Sequence, residues 1–412
     1  MTTFSFQIVA KDKKTNARTG IIQTEHGLIK TPAFVPVGTQ ATVKSLSMED
    51  LRTIGTQVFF VNTYHMYLRP GLSVIEKFGG LHQFMNWEGP LMTDSAGFQI
   101  FSLGEVNRQK RARVCGTETE MPLVKIGEEG VTFRSHLDGS LHGFTPEKSI
   151  EAQVILGADI MIAFDECLYF PATHEYARRA MERTHRWASR CLSASSKFKV
   201  AACKRLAMSG RQSSKLGKSD QALYGVVQGG VFEDLRRESA RFISGLDFDG
   251  LAIGGVSVGE SKKEMTNVLE WTVPLLPKNK PRHLLGVGEI DDIFALVERG
   301  VDSFDCVMPT RLGRMGQVLV KNSKLKTQNY MMDIMKSQSA RDSSPLDEQC
   351  DCWVCHNYSR AYVHHLFRAK ELLAYRLATY HNLCFLEGLV SQMRKAIEEG
   401  NFAQLKEEWL GY

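Results

Sequence analysis

Between residues 56 and 310 the chain repeats one pattern: a short apolar run stops abruptly at a polar residue or glycine, and a helix-like segment follows. The runs are 56-TQVFFVNTY-64, 91-LMTDSAG-97, 158-ADIMIAFDE-166, 223-LYGVVQGG-230, 250-GLAIGG-255, 283-HLLGVG-288 and 302-DSFDCVMP-309. Continuous apolarity rich in Val, Ile and Phe suits strands buried on both faces of a parallel sheet. The segments between them include helix candidates at 147–157, 233–246 and 290–300, the second closing on Gly245 as a C-cap. At least six such units in succession predict an α/β fold of the (β/α)8 barrel type. A doubly wound open sheet is the alternative, weakened by the lack of a GxGxxG turn after the first run.

In a barrel the side chains at the C-terminal ends of the strands converge on one mouth, where the chemistry sits. Those ends are Asn62, Asp94, Asp165, Gln228, Gly254 with Gly255, Gly288 and Asp305. Three carboxylates and an amide are thus expected together. A strand-end Asp is as often a loop clamp as a catalytic group, but the set suits glycosyl transfer of the retaining type. One carboxylate would attack an anomeric carbon and another would manage protons. Metal-assisted hydrolysis is disfavoured, because no strand end carries an HxH pattern.

Composition excludes several classes. The chain has 412 residues, 43% hydrophobic and 24% charged, ordinary for a globular protein. Its first residues, MTTFSFQIVAKDKK, are too polar and too early charged for a secretory signal, and no run is long and apolar enough to span a bilayer. An intracellular protein is expected. Nine cysteines, an odd number, then argue against a disulfide framework. Cys115, Cys167, Cys191, Cys203 and Cys306 are scattered, whereas Cys350, Cys352 and Cys355 follow a C-x-C-x2-C spacing. Three thiolates are one ligand short of a tetrahedral zinc site, and His356, His364, His365 and His381 are candidates for the fourth. His356 directly follows a ligand; His364 and His365 fall inside an expected helix over 358–380; His381 sits just past it and is favoured. Such a closed site is structural.

Charge is unevenly spread. The net charge is only +5, but four basic residues fall within 108-RQKRAR-113, and twelve lie between Arg178 and Lys218 against Glu182 alone. One such run is usually a solvated face. Two, together with 310-TRLGR-314, point towards a polyanion such as RNA or DNA.

The motifs TDSAGFQIFS, AFDEC, VVQGG, AIGGVSVGE, HLLGVG, FDCVMPTR and CDCWVC, in this order, resemble those of the bacterial tRNA-guanine transglycosylases, from about Gly20 to Phe402. The resemblance implies a barrel with an attached zinc subdomain and base exchange at the wobble position of tRNAs with a GUN anticodon, on the queuosine route. It implies Asp305 as nucleophile on the ribose and Asp94 as general acid/base. Asp165, Gln228, Gly255 and Val256 would read the base, Phe98 would stack on it, and Ser95 and Cys167 would lie nearby. RNA contacts would come from Gly286, Val287, Gly288, Glu289, Ile290, Asp291 and Asp292, and from Thr310, Arg311, Leu312, Gly313 and Arg314. Cys350, Cys352, Cys355 and His381 match the family's Zn2+ ligands. The implied domains are a catalytic barrel over 1–330 with loop insertions near 105–120 and 197–219, a zinc subdomain over 345–390, and a C-terminal helix over 391–412. A cytoplasmic homodimer is also implied.

Three positions depart from the family: Ala96 for Gly, Met315 for Asn, and Gly230 where Ser is common. Ala96 adds a methyl where backbone approaches the base, and Met315 removes a polar contact. Cys167 and Val258 resemble the bacterial pattern for the small base preQ1, with the bulkier queuine as the alternative. The rival classes are a non-catalytic RNA-binding subunit, a carbohydrate-active barrel and an exchange enzyme of archaeal type. Intact Asp94 and Asp305, scattered tryptophans and the lack of an appended RNA-binding domain argue against each in turn.

Overall fold

The computed structural model describes residues 4–102, 124–209, 221–321 and 330–411. Eight strands form one sheet: β1 (Ala33–Pro36), β2 (Phe59–Val61), β3 (Leu91–Thr93), β4 (Ile160–Ile162), β5 (Ala222–Val227), β6 (Gly250–Ile253), β7 (Arg282–Leu284) and β8 (Ser303–Cys306). Their hydrogen-bonded order, β1-β8-β7-β6-β5-β4-β3-β2, steps through the chain one strand at a time. A parallel bridge from Val37 to Phe60 joins the two ends of that order. This is the parallel, nearly closed barrel expected. Every residue of these strands is buried except Asp305.

Sequence periodicity missed β1, because Pro32 and Pro36 flank it and proline demotes an apolar run as a strand candidate. It also missed three smaller sheets, the last two of them antiparallel. These join Ser5–Lys11, Arg18–Thr24 and Gly27–Thr31; Val124–Ile126, Val131–Arg134 and Leu141–Phe144; and Gln317–Leu319 with Met331–Asp333.

Other expectations need correction. Residues 197–209, read as loop, continue the helix His174–Ser209, while 105–120 and 210–219 lie outside the described residues. Gly245 ends the helix Glu233–Ser244 but in right-handed geometry (φ −76°), so no left-handed cap forms. The single helix expected over 358–380 is two, Arg360–Ala369 and Leu372–Glu399, separated at Lys370, which takes a left-handed φ of 60°. His381 therefore lies inside a helix and not past its end, and the expected boundary at 390/391 falls within that same helix. No helix among the described residues is long and apolar enough to cross a membrane.

The chain divides into two compact units. The first comprises Met1–Phe6, Gln23–Gly27 and Val61–His283. In it Thr145 caps the helix Pro146–Leu156 by accepting from Lys148 N–H, and Pro146 takes the first turn, where no N–H is needed. Gln153, buried on that helix, accepts from the Thr93 hydroxyl (3.0 Å) and Ile162 N–H (3.0 Å) and donates to Ile162 O (2.9 Å). One amide thereby fixes the ends of β3 and β4, the strands that carry Asp94 and Asp165.

The second unit comprises Gln7–Ile22, Leu28–Phe60 and Leu284–Tyr412. Arg18 donates from Nε to Asp302 Oδ1 (2.8 Å) and from Nη2 to Oδ2 (2.6 Å), both side chains being buried. Asp302 O in turn accepts from Ala33 N–H (2.9 Å), which sets the register of β1 against β8. A bidentate pair this deep is poorly replaced by half of itself. Asp302→Ala should cost about 3–5 kcal/mol in urea unfolding; a loss below about 1 kcal/mol would show that the guanidinium finds other partners.

Candidate active site and metal centre

Asp94 follows directly on β3. Its carboxylate accepts from Thr63 N–H (2.8 Å), from Ala96 N–H (3.1 Å) and from the Asn62 amide. The Thr63 hydroxyl donates to Asp94 O (2.6 Å), so two residues at the end of β2 hold the residue from both sides. All these donors are neutral. Burial outweighs them and pushes the Asp94 pKa up to about 6.

Asp165 follows β4 and has the same character. Gln228 Nε2 donates to Oδ2 (2.7 Å) and Ser95 Oγ to Oδ1 (3.2 Å), and burial pushes its pKa up to about 6. Gln228 Oε1 is buried and has no hydrogen-bond partner among the described residues. Gly254 and Gly255 pack against this amide, and a Cβ at Gly255 would lie 2.3 Å from Gln228 Oε1. Gly97 is required too, since its Cβ would meet Asp165 O at 2.7 Å. Cys167 is half-buried with its thiol pushed up by desolvation, and Val256 is buried. The first unit thus brings Ser95, Asp165, Gln228, Gly255 and the Gln228 amide edge together. Phe98 stands 51% exposed, open to a flat partner. Ala96 takes φ 71°, a left-handed conformation that costs a residue with a Cβ about 1–2 kcal/mol.

Asp305, on β8, accepts from Gly286 N–H at 3.1 Å. Gly288 is explained by packing, because a Cβ there would lie 2.5 Å from Cys306 Cβ. Gly313 likewise lets the helix Met308–Arg314 press on Thr379, 2.8 Å from where its Cβ would be. Among the expected RNA contacts Val287, Ile290, Thr310 and Gly313 are buried; Gly286, Glu289 and Arg311 are exposed; Asp291, Asp292, Leu312 and Arg314 are intermediate. Three of these are carboxylates grouped closely, so the cations of this set are Arg311 and Arg314.

The basic run reads differently in three dimensions. Arg178 pairs with Asp234 and Glu238, Arg179 with Glu175, Arg183 with the buried Glu166, Arg186 with Glu128, and Arg190 with Glu147 and Glu129. Its first five arginines are engaged within the chain; apart from the i,i+4 pair Arg179–Glu175, their acidic partners are farther away in sequence and invisible to a local charge count.

The cysteine cluster closes as expected. Cys350, Cys352 and Cys355 with His381 place one ligand atom each within 4.8 Å of one another. His381 Nδ1 lies 3.6 Å from Cys352 Sγ and 3.3 Å from Cys355 Sγ. Two ligands of one tetrahedral zinc, sulfur and nitrogen, stand about 3.6 Å apart. His381 Nε2 lies 2.7 Å from Leu319 O, the outer hydrogen bond that aims the other nitrogen at a metal. The donor set therefore fits a tetrahedral cation. His364, whose Nδ1 lies 2.8 Å from Ile334 O, is not among the grouped ligand atoms, and His356 and His365 are exposed.

Sequence reasoning passed over three residues. Asn62 was located at a strand end without a role, yet holds Asp94. Cys384 lies one helical turn beyond His381 and acts on the Cys352 thiol; the i, i+3 spacing is the signal that could have found it. Arg236 looked like one charge of an exposed helix but is fully buried.

The raised pKa of Asp165 has a sign that can be checked. The folded state binds this proton more tightly than the unfolded chain, whose value is near 3.8. The penalty is absent below pH 3.8 and grows as pH rises to about 6. Asp165→Asn, with the Gln228 amide free to rotate, should stabilise the protein by about 1–3 kcal/mol at pH 8 and by nearly nothing at pH 4. Denaturant unfolding at the two pH values decides it; destabilisation at pH 8 would contradict the burial argument.

The description of the family "Queuine tRNA-ribosyltransferase" matches residues 12–411 of this chain. The queuine tRNA-ribosyltransferase of Pelotomaculum thermopropionicum is 48% identical over 406 residues, which cover 98% of each chain. That of Roseiflexus sp. is 47% identical over 411 residues, 99% of this chain and 100% of its own. That of Caldanaerobacter subterraneus is 48% identical over 410 residues, 100% and 98% respectively.

Proposed function

The chain belongs to the queuine tRNA-ribosyltransferase family, and from that premise we propose that it exchanges the wobble guanine of GUN-anticodon tRNAs for preQ1 through an ester on Asp305. It is a pentosyltransferase of the tRNA-guanine transglycosylase type, acting in the queuosine pathway. The observation that carries the finer reading is the pair of desolvated carboxylates, Asp94 and Asp165, whose hydrogen-bond donors are neutral.

The Asp305 carboxylate attacks C1′ of the ribose as the C1′–N9 bond breaks, and the electron pair leaves on guanine. Protonated Asp94 supplies a proton to the departing base. Its carboxylate then takes the proton from N9 of the incoming base, which attacks C1′ and frees Asp305. A pKa of about 6 keeps both forms of Asp94 accessible near neutrality. The covalent ester conserves the glycosidic bond energy, provided water is kept out. Asp165 and the Gln228 amide read the polar edge of the base, which must leave its stack to be reached, and Phe98 stacks on its face. Backbone affinity for RNA comes from Arg311 and Arg314.

Queuine is the second reading for the incoming base, favoured by the names of the relatives. Cys167 and Val258 favour preQ1. The test is a tRNA-Asp transcript with labelled wobble guanine, incubated with either base. Label release is expected with preQ1 and none with Asp305→Ala. Asp94→Asn should lower kcat roughly 100-fold or more and abolish an acid limb near pH 6 in kcat/KM for the base. No release with either base would end the enzyme reading and restore the RNA-binding subunit.

Zn2+ is the metal we assign to Cys350, Cys352, Cys355 and His381. Bound there it supplies a structural cross-link, and its ligands leave no open position for substrate. Emission spectroscopy should find one zinc per chain. Cys352→Ser should lose it and unfold the second unit at lower denaturant, with kcat per folded enzyme unchanged. Full thermal stability after metal removal would contradict a structural role. A homodimer is supported by the exposed apolar side chains of Trp353, Tyr362 and Leu372, and the tRNA substrate suits the cytoplasm.

A further inference from the structure

We propose that Arg236 is a positioning residue for this exchange, acting through two peptide groups whose N–H ends receive the negative charge of the departing purine. The inference rests on the reaction proposed above.

Arg236 lies in the first turns of the helix Glu233–Ser244, and its side chain is fully buried. Its Nε donates to Gly230 O (2.6 Å), Nη1 to Val227 O (3.0 Å) and Gly254 O (2.8 Å), and Nη2 to Gly255 O (3.2 Å). Four of its five N–H groups therefore end on backbone carbonyls just beyond β5 and β6. Among the described residues no carboxylate forms an ion pair with it. Burial pulls its pKa down to about 10, so it remains a cation at neutral pH.

A buried cation hydrogen-bonded to carbonyls alone, with the charge of Glu260 acting on it from farther off, is a costly way to hold two loops together. What it adds is field. The carbonyl of Gly254 shares a peptide with the N–H of Gly255, and that of Gly255 shares one with the N–H of Val256. In a trans peptide the N–H points away from its own carbonyl. A charged donor on the oxygen polarises the group and makes the N–H a stronger donor on the far side. Neither the Gly255 nor the Val256 N–H has a hydrogen-bond acceptor among the described residues, although Val256 is buried. Buried N–H groups are rarely left without one. Gly255 packs directly against the Gln228 amide, which in turn donates to Asp165, the edge assigned above to the base.

When the C1′–N9 bond breaks, N9 keeps the electron pair and the charge spreads to the carbonyl oxygen at C6. Preorganised donors at that oxygen stabilise the charge as it develops. Arg236 touches neither base nor ribose in this account; it orients and charges the peptides that do.

The test compares Arg236→Gln and Arg236→Lys with the wild type on two tRNA transcripts, one with guanine and one with 8-azaguanine at the wobble position. The extra ring nitrogen makes the second base the better leaving group. With guanine, kcat per folded enzyme should fall roughly tenfold or more in Arg236→Gln and less in Arg236→Lys, with KM for tRNA unchanged. With 8-azaguanine the losses should shrink. Equal losses on both transcripts would mean that Arg236 only holds the loops, and would overturn the proposal. If Arg236→Gln does not fold, the same comparison on Arg236→Lys alone decides it. A wild type that exchanges neither base fails the underlying reaction instead, and is seen before any variant is made.

Discussion

The chemistry of this chain depends on burying carboxylates beside neutral donors. Asp94 and Asp165 are met by amides, a hydroxyl and backbone N–H groups, so desolvation lifts both to a pKa of about 6. Several other carboxylates are treated in the opposite way, although burial also lifts Glu387 to about 8. Asp302 faces Arg18, Glu147 faces Arg190, and Asp159 is held between His26 and His82. Arg190 drags Glu147 down to about 2. The distinction separates carboxylates that hold the fold from those that can exchange a proton near neutral pH.

In the second unit one helix, Leu372–Glu399, carries most of the organisation. Arg376 pairs with Asp50 at 2.7 Å, His381 completes the metal cluster, and Arg394 donates to Pro32 O at 2.7 Å beside β1. Asn382 accepts from Leu319 N–H (2.8 Å) and donates to Pro309 O and Gln317 O (both 3.0 Å). A metal held by these four side chains would brace the same helix that anchors the segment after β8. Its link to Asp305 is mechanical, through the packing of Gly313 on Thr379.

Much of this was legible in the sequence where a local rule governs the structure. Seven barrel strands announced themselves because burial on both faces demands unbroken apolar runs. The metal ligands did so because thiolates need fixed spacing. What failed was non-local. β1 was hidden by its prolines, and the helix break at Lys370 follows from no helix-breaking residue. The basic run suggested a polyanion until its arginines met Glu128, Glu147, Glu166 and Asp234, up to 58 residues away in sequence. Arg236 was the hardest case, since a buried arginine and a surface arginine look identical in an amphipathic helix.

The account assigns nucleophilic attack to Asp305 and proton transfer to Asp94, and either carboxylate could form a ribosyl ester on chemical grounds alone. Asp94 is ringed by neutral donors and lifted to about 6, which suits it to moving a proton, and that is the physical basis of the choice. The decisive measurement is to quench the enzyme with tRNA in the absence of added base, digest both, and map the ribosyl adduct by mass spectrometry. An ester on the peptide containing Asp305 is the predicted result. An ester on Asp94 would reverse the two roles and contradict the mechanism.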